Sequence, residues 1–534
     1  MSRRWVYLQL NLQVEANVAK AVAIAKRAKA AGYNSIVLAD YKLNILDRVP
    51  RHYFRHVEQF KESCRQLELE IIPAVCPIGY SDGLLAHNPN LAEGLPVKDA
   101  AFVVRDGTAT LTSRESFLPG GDFESFREHI ASGWNYQDFP KDASFIDTEL
   151  KHGGRAALRF ESLVGRNGRV IRKVAVQPYQ LLHASVWIRT DRFSTAGNMR
   201  MMAIGADGRT LSYSNLGVKP TQGWRQHHVM FNTLDNTEIN FYVGCWNGGD
   251  GRFWLDDVRL EESAFVNLVR RDSCPLKVQI EGGRELREGV DFAPLADPKL
   301  GNVPYSGSYD VYHEPPKLRL LPAAKVSDGD RLRVSYYHTV TIYENQVTCC
   351  LADPEVFRVL AKQVKLVEEL FSPRTYFLSH DEIRVADWCP ACHRDGRSAG
   401  ELLARNIRQC AAVVRQINRQ AKLCVWSDMF DPHHNARDKF YLVQGDLARS
   451  WEGLPDGMTI VNWNHGQASE SLPFFGKQGF KQVLAGYYDS DPRRIRSWLS
   501  LGDDDDGING VMYTTWTGNF DHLEAFAEAA WDKE

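Results

Sequence analysis

The 534-residue chain holds no apolar run long enough to span a bilayer, so no membrane-inserted helix is expected. It also lacks a dominant charge. Its 64 basic residues meet 67 acidic ones, for a formal net charge of -3, with no basic block and no acidic tail. Nucleic acid and an anionic membrane surface are therefore not expected as partners. Cysteine is sparse: 10 residues, scattered from Cys64 to Cys424, do not make the dense framework of a disulfide-stapled domain, and several sit in apolar runs as small hydrophobes. No glycine-rich phosphate cradle is present. The opening MSRRWVYLQLNL has a basic flank but neither the long apolar stretch nor the small-residue cleavage site of a signal peptide. As the sequence stands a cytoplasmic location is expected, and a secreted or periplasmic one if a leader has been trimmed.

What the chain does have is an α/β rhythm, interrupted once. Its length predicts two or three domains. Residues 5–12 read as a strand, and Val18, Val22 and Ala25 form a helical stripe that stops at Gly32. Strand 35–39, a helix over about 53–67 and strand 71–76 follow, the start of a parallel fold. From about Thr112 to Glu262 the pattern changes to short β segments with Gly and Asn turns, as in an antiparallel sandwich. Residues 263–340 continue as a second, small β-rich unit. The α/β rhythm resumes with the helix start Asp353-Pro354, the strand at 375–380 and a capping box, Ser398 with Glu401. Strand candidates at 422–427, 458–463, 482–488 and 510–516 and a closing helix complete the count. Three strands before the interruption and five after it predict a (β/α)8 barrel interrupted after strand 3. The barrel would occupy 1–111 and 341–534, and the inserted β units 112–262 and 263–340.

In such a barrel the active site lies at the C-terminal ends of the strands. The fourth strand runs out in His380, Asp381, Glu382 and Arg384, and an acidic pair there is costly to desolvate unless it is used. The alternative is that Asp381 caps a helix and Glu382 faces solvent. The other strand ends supply Asn11, Asp40, then Trp426 and Asp428 with Asp431, His433 and His434. Later ends add Trp463 and Asn464, then Tyr487, Tyr488 and Asp489, and last Trp516. Carboxylates, aromatic platforms and amide donors on one face are the equipment of a sugar pocket. The run Asp503–Asp506 is expected to be a solvated loop without a role. Cys389 and Cys392 have the spacing of half a zinc site, with Cys349, Cys350 or His393 to complete it. Two reduced loop cysteines, or a local disulfide, would look the same.

Two resemblances add to this. The phrases GGDFE, HGGRAALRF and FWLDDVRL resemble the jelly-roll carbohydrate-binding modules attached to polysaccharide-degrading enzymes. That resemblance makes Trp134, Trp187, Trp224, Trp246 and Trp254 candidates for stacking on sugar, although core packing is preferred for Trp187 and Trp254. It also makes Asp122, Glu124 and Asp257 candidates for a structural calcium. The adjacent pair in HDE, with WSDMF at strand 5, resembles the β-N-acetylhexosaminidases of glycoside hydrolase family 20 and related substrate-assisted barrels, although the family's glycines ahead of the pair are replaced here by FLSHDE. The resemblance implies an oligosaccharide or polysaccharide substrate and no required cofactor. It implies that Asp381 orients the substrate's 2-acetamido group, that Glu382 is the acid/base and that Tyr488 bonds the acetamido oxygen. Trp426, Trp463 and Trp516 would wall the pocket. Two rivals remain open: a glycosidase for neutral or uronic sugars with Asp428 or Asp489 as nucleophile or base, and a glycan-binding barrel without catalysis.

Overall fold

The computed structural model describes residues 1–113, 115–343, 345–502 and 507–531, so Asp503–Asp506 lie outside the described residues. The chain forms two compact units. One comprises Met1–Leu91, Thr348–Asp387 and the chain from Ala391 onward; the other comprises Ala92–Val347 and Trp388–Pro390.

In the first unit eight parallel strands close a barrel. They are β1 (Arg3–Leu8), β2 (Ser35–Leu38), β3 (Glu70–Val75), β4 (Thr375–Leu378), β5 (Lys422–Trp426), β6 (Thr459–Asn462), β7 (Lys481–Tyr487) and β8 (Ile508–Thr514). Side chains alternate along a strand, so every second residue points inward. Trp5, Tyr7, Val37, Ile72, Phe377, Cys424, Trp426, Val461, Val483 and Met512 fill the interior as one buried cluster. The residues between them, such as Val6, Leu8, Ile36 and Leu378, are also fully buried. Burial on both faces explains why these strands read as near-continuous apolar runs.

Helices Glu15–Ala30, Arg51–Gln66, Pro354–Phe371, Ala399–Ile417, Ala468–Lys477, Arg494–Leu499 and Leu523–Trp531 belong to this unit. Two begin with the caps the sequence predicts: Asp353 accepts from the Glu355 N–H, and Ser398 and Glu401 form a reciprocal capping box. The connection from β5 to β6 departs from the expected (β/α)8 pattern. It contains only 3-10 turns at Asp428–Phe430 and Ser450–Gly453 and a two-residue strand, Leu442–Val443.

The named strands of the second unit pair antiparallel. A five-stranded sheet orders 222–232, 181–191, 252–262, 157–161 and 144–147, and a four-stranded sheet orders 199–205, 238–245, 168–175 and 136–137. A seven-stranded sheet joins Leu95–Arg105 and Thr108–Leu111 to Arg331–His338 and shorter strands around Phe102, Phe265, Val278, Leu332 and Tyr336. Trp254 is buried, as preferred, with its indole N–H on Asp147 at 2.9 Å. Trp187 is not a core residue: it is partly exposed and stacks on His152 at 3.8 Å. Two of the candidate calcium ligands have protein contacts. Glu124 accepts from the Arg155 N–H at 2.8 Å, and Asp257 meets His152 Nδ1 at 2.7 Å.

Candidate active site

The chain leaves β4 through a sharp double kink. His380 and Glu382 both take left-handed backbone conformations, φ 47° and 44°, with Asp381 between them. Such conformations cost a non-glycine residue about 1–3 kcal/mol each and persist where surrounding contacts over-determine them. Here the loop after β3 supplies those contacts. The Asp381 N–H donates to Ile78 O at 3.1 Å, and a Cβ on Gly79, φ 103°, would lie 1.9 Å from Asp381 O. Only glycine allows that approach.

The kink sends three neighbouring side chains in three directions. His380 is fully buried and turns away from the barrel mouth, its Nε2 3.0 Å from Asn406 Oδ1 on the helix Ala399–Ile417. Burial lowers its pKa to about 4 despite that bond. Glu382 is paired: Arg384 Nη2 lies 2.6 Å from its Oε2, and the Tyr80 hydroxyl donates to the same oxygen at 2.9 Å. Burial opposes the Arg384 charge, but Glu382 and Tyr80 raise its pKa overall. Asp381 is the odd one out, because its partly exposed carboxyl has no hydrogen-bond partner in the protein among the described residues. Desolvation, then the charges of Asp428 and Glu382, push it well above the usual carboxylate range, against the pull of Arg384.

Asp428, at the end of β5, completes the cluster. It is fully buried, and its Oδ2 accepts from the Glu382 N–H and from Asn435 Nδ2, each at 3.0 Å. Desolvation and the Glu382 charge raise it to about 7, with the Glu382 N–H, Asn435 and the Trp463 indole holding it back. Donors aimed at Asp428 and none at Asp381 break the symmetry between two carboxyls that repel each other. Both carboxyls are thereby pushed toward the protonated form.

Aromatic rings surround this cluster. Trp426 is buried below it, 5.4 Å from Tyr7 and 5.9 Å from Trp516. Trp463 and Tyr488 stack at 5.8 Å with planes 6° apart, and Tyr488 meets Trp516 edge-on at 5.7 Å. Tyr488 and Trp516 are each 39% exposed, an uncommon state for large rings in a buried barrel and a fit platform for sugar faces.

The remaining sequence candidates do other work. Asp40 is buried and accepts from Leu12 N, Lys42 N and the Tyr53 hydroxyl, tying the loops after β1 and β2 together. Asn11 accepts from Gln13 N ahead of the first helix. Asp489 takes hydrogen bonds from Thr515, Thr517 and the Trp516 N–H, which outweigh its burial and lower its pKa. Tyr487 stacks on Tyr513 at 4.4 Å, and exposed His433 meets Phe474. Asn464 borders a separate cavity beside Trp463 and Tyr488. Sequence reasoning missed Tyr80, which lies in the turn that leads from β3 into the interruption, where no strand-end residue stood out.

All ten cysteines are free and buried. Cys389 and Cys392, the zinc candidates, fall in different compact units. Cys392 stands 3.4 Å from Cys350 in the first, and the Cys389 N–H donates to Glu93 at 2.8 Å in the second. No helix among the described residues is long and apolar enough to cross a membrane.

Fold and site together define a closed parallel barrel that carries a carboxyl cluster, ringed by aromatic side chains, at the C-terminal ends of its strands, joined to antiparallel β sheets in a second unit. No protein-family model and no curated protein matches the chain. Among solved structures it is similar to a xylan-binding domain from Paenibacillus barcinonensis, with 12% identity and a TM-score of 0.22 over 29% of this chain and 100% of that one. It is similar to a β-N-acetylhexosaminidase from Bacteroides fragilis, with 16% identity and a TM-score of 0.27 over 36% of this chain and 42% of that one. A rhamnosidase from Novosphingobium sp. PP1Y matches with 11% identity and a TM-score of 0.34 over 98% of this chain and 58% of that one. The chain thus spans less than two thirds of either enzyme.

Proposed function

We propose that the barrel is a glycoside hydrolase that removes N-acetylhexosamine from glycans, with the substrate's own 2-acetamido group as nucleophile. One observation carries this reading: a carboxyl without a protein partner, Asp381, stands next in sequence to a carboxylate fixed by Arg384 and Tyr80, Glu382. Glycosidic cleavage needs those two states together, a proton for the leaving oxygen and negative charge near the anomeric centre.

In this reading Asp381 gives its proton to the glycosidic oxygen as that bond breaks, and the acetamido carbonyl oxygen attacks the anomeric carbon. Glu382 accepts the acetamido N–H and offsets the positive charge that develops. Asp381, now ionised, takes a proton from the water that opens the cyclic intermediate, which restores the resting state. Tyr488 bonds the acetamido oxygen, and Trp516 stacks on the ring. The proton and the fixed charge are assigned in the reverse of the order the family resemblance implies, because the Arg384 guanidinium is paired with Glu382 and not with Asp381. A second reading has the same ion pair in its favour: on a sugar without an acetamido group, Glu382 itself is poised to attack. Asp489, with its oxygens occupied, is not.

The test is hydrolysis of aryl N-acetylhexosaminides, glucosides, galactosides and glucuronides by wild type, Asp381→Asn and Glu382→Gln. Activity confined to acetamido sugars, with kcat lower by about 100-fold or more in both variants, is expected. A dinitrophenyl leaving group needs no proton, so it should rescue Asp381→Asn and leave Glu382→Gln slow. Turnover of neutral sugars would move the nucleophile to Glu382. Saccharide binding without turnover of any glycoside or longer glycan would leave a glycan-binding barrel.

A further inference from the structure

Beside the carboxyl cluster, at the ends of β6 and β7, lies a cavity of about 220 Å³, room for one sugar ring rather than an oligosaccharide. Trp463 and Tyr488 border both it and the cluster; Trp498, His465, Asn464 and Arg494 line the rest. Its polar chemistry is one-sided, because no carboxylate lines it.

The donors in its wall are unspent. The Trp498 indole nitrogen is buried without an acceptor among the described residues. Asn464 uses its Oδ1 to accept from Gly466 N at 3.1 Å, which leaves its amide N–H groups without a protein acceptor among the described residues. Arg494 forms no ion pair among the described residues, and its guanidinium donates only to His465 Nδ1, at 3.1 Å. That bond makes Nδ1 an acceptor and puts the imidazole proton on Nε2, which faces Ser497 Oγ at 3.2 Å. His465 is thereby kept neutral, and burial and the Arg494 charge both lower its pKa. A guanidinium, an indole N–H and an amide with no acceptor among them call for a ligand rich in acceptors and negative in charge.

We infer that this cavity is a saccharide subsite for a ring carrying an anionic substituent, a carboxylate or a sulfate ester. Its place next to the cleaved bond rests on the hydrolase reading above, whereas its chemistry does not. A neutral hexose would satisfy one or two donors and offer the solvent-exposed Arg494 guanidinium no countercharge. An acidic ring engages Arg494 through paired charge-assisted bonds while its apolar face lies against an aromatic wall.

The test separates binding from turnover by using the full chain as Asp381→Asn. Calorimetric titrations with glucuronic acid, N-acetylglucosamine 6-sulfate and N-acetylglucosamine are compared with the same titrations of the Asp381→Asn/Arg494→Gln double variant. At least one anionic sugar should bind about tenfold or more tighter than the neutral one, and Arg494→Gln should erase that preference. Trp498→Phe, which keeps a ring and removes the N–H, should weaken the same ligand. The preferred anion identifies the substituent as a uronate or a sulfate. Equal binding of charged and neutral sugars, or a preference that survives Arg494→Gln, would overturn the inference. If the hydrolase reading fails while the Arg494-dependent preference stands, the subsite is retained. Hydrolysis of neutral acetamido sugars without any anionic preference would remove the subsite alone.

Discussion

Arg384 places a countercharge against one carboxyl of the cluster. It is buried, it holds Glu382 at 2.6 Å, and its guanidinium lies 5.3 Å from the Tyr441 ring centroid. Arg384→Met keeps the bulk and removes the countercharge, so Glu382 would stand beside two repelling carboxyls and take up a proton. Initial rates across pH should then show kcat lower by about 100-fold or more, with the alkaline limb displaced, while Lys in that position rescues only part. Asp428 gives a second residue-scale prediction, on stability. Its pKa is about 7 in the fold against an ordinary value of 3.8, so the folded chain holds an extra proton between those values and loses stability as pH rises through that window. Asp428→Asn removes this dependence. Urea unfolding at pH 4.5 and pH 8 should show the variant gaining on wild type by roughly 1–3 kcal/mol at the higher pH. An unchanged difference between the two pH values would mean that the Asp428 carboxyl titrates alike in the folded and unfolded chain.

Among the elements, the turn after β3 and the kink after β4 are built together, and Gly79 is the point of closest approach. Gly79→Ala must displace either the Asp381 carbonyl or the Tyr80 loop. It should cost at least about 2 kcal/mol in chemical unfolding and reduce kcat further than that loss of stability explains. The contrast between strands and kinks also sets what the sequence made legible. All eight barrel strands were readable, because a parallel strand buried on both faces is a short apolar run bounded by turns. The Asp381-Glu382 pair was readable because acidic residues at such a run's end stand out. The directions of the side chains were not. HDE is contiguous in sequence, and only the left-handed backbone at His380 and Glu382 reveals that the histidine leaves the site. Tyr80 takes its role through a hydrogen bond to Glu382, 302 residues away in sequence, which no local pattern encodes. The missing helix between β5 and β6 follows from a stretch, DPHHNARDKFYLVQGDL, with no apolar period for a helix to bury.

For the molecule as a whole, the question is whether the barrel depends on the β-rich unit that interrupts it. A closed barrel has no free edge, so its strand pairing is complete without help from another sheet. The chain also leaves and re-enters the barrel unit at neighbouring points, since the Cys350 N–H donates to Leu91 O at 2.7 Å. Replacement of residues 92–347 by a short Gly/Ser linker therefore spans a gap the native chain already closes with a hydrogen bond. The shortened protein should retain a single cooperative thermal transition, at a lower Tm because surface around Trp388–Pro390 becomes exposed. It should still cleave small aryl glycosides, since every member of the carboxyl cluster and its aromatic ring belongs to the barrel unit. Loss of cooperative unfolding would show that barrel closure draws on the second unit. Retained folding with lost turnover of small glycosides would place part of the catalytic apparatus outside the barrel. If small substrates are cleaved normally and only long glycans suffer, the second unit serves the substrate rather than the bond that is broken.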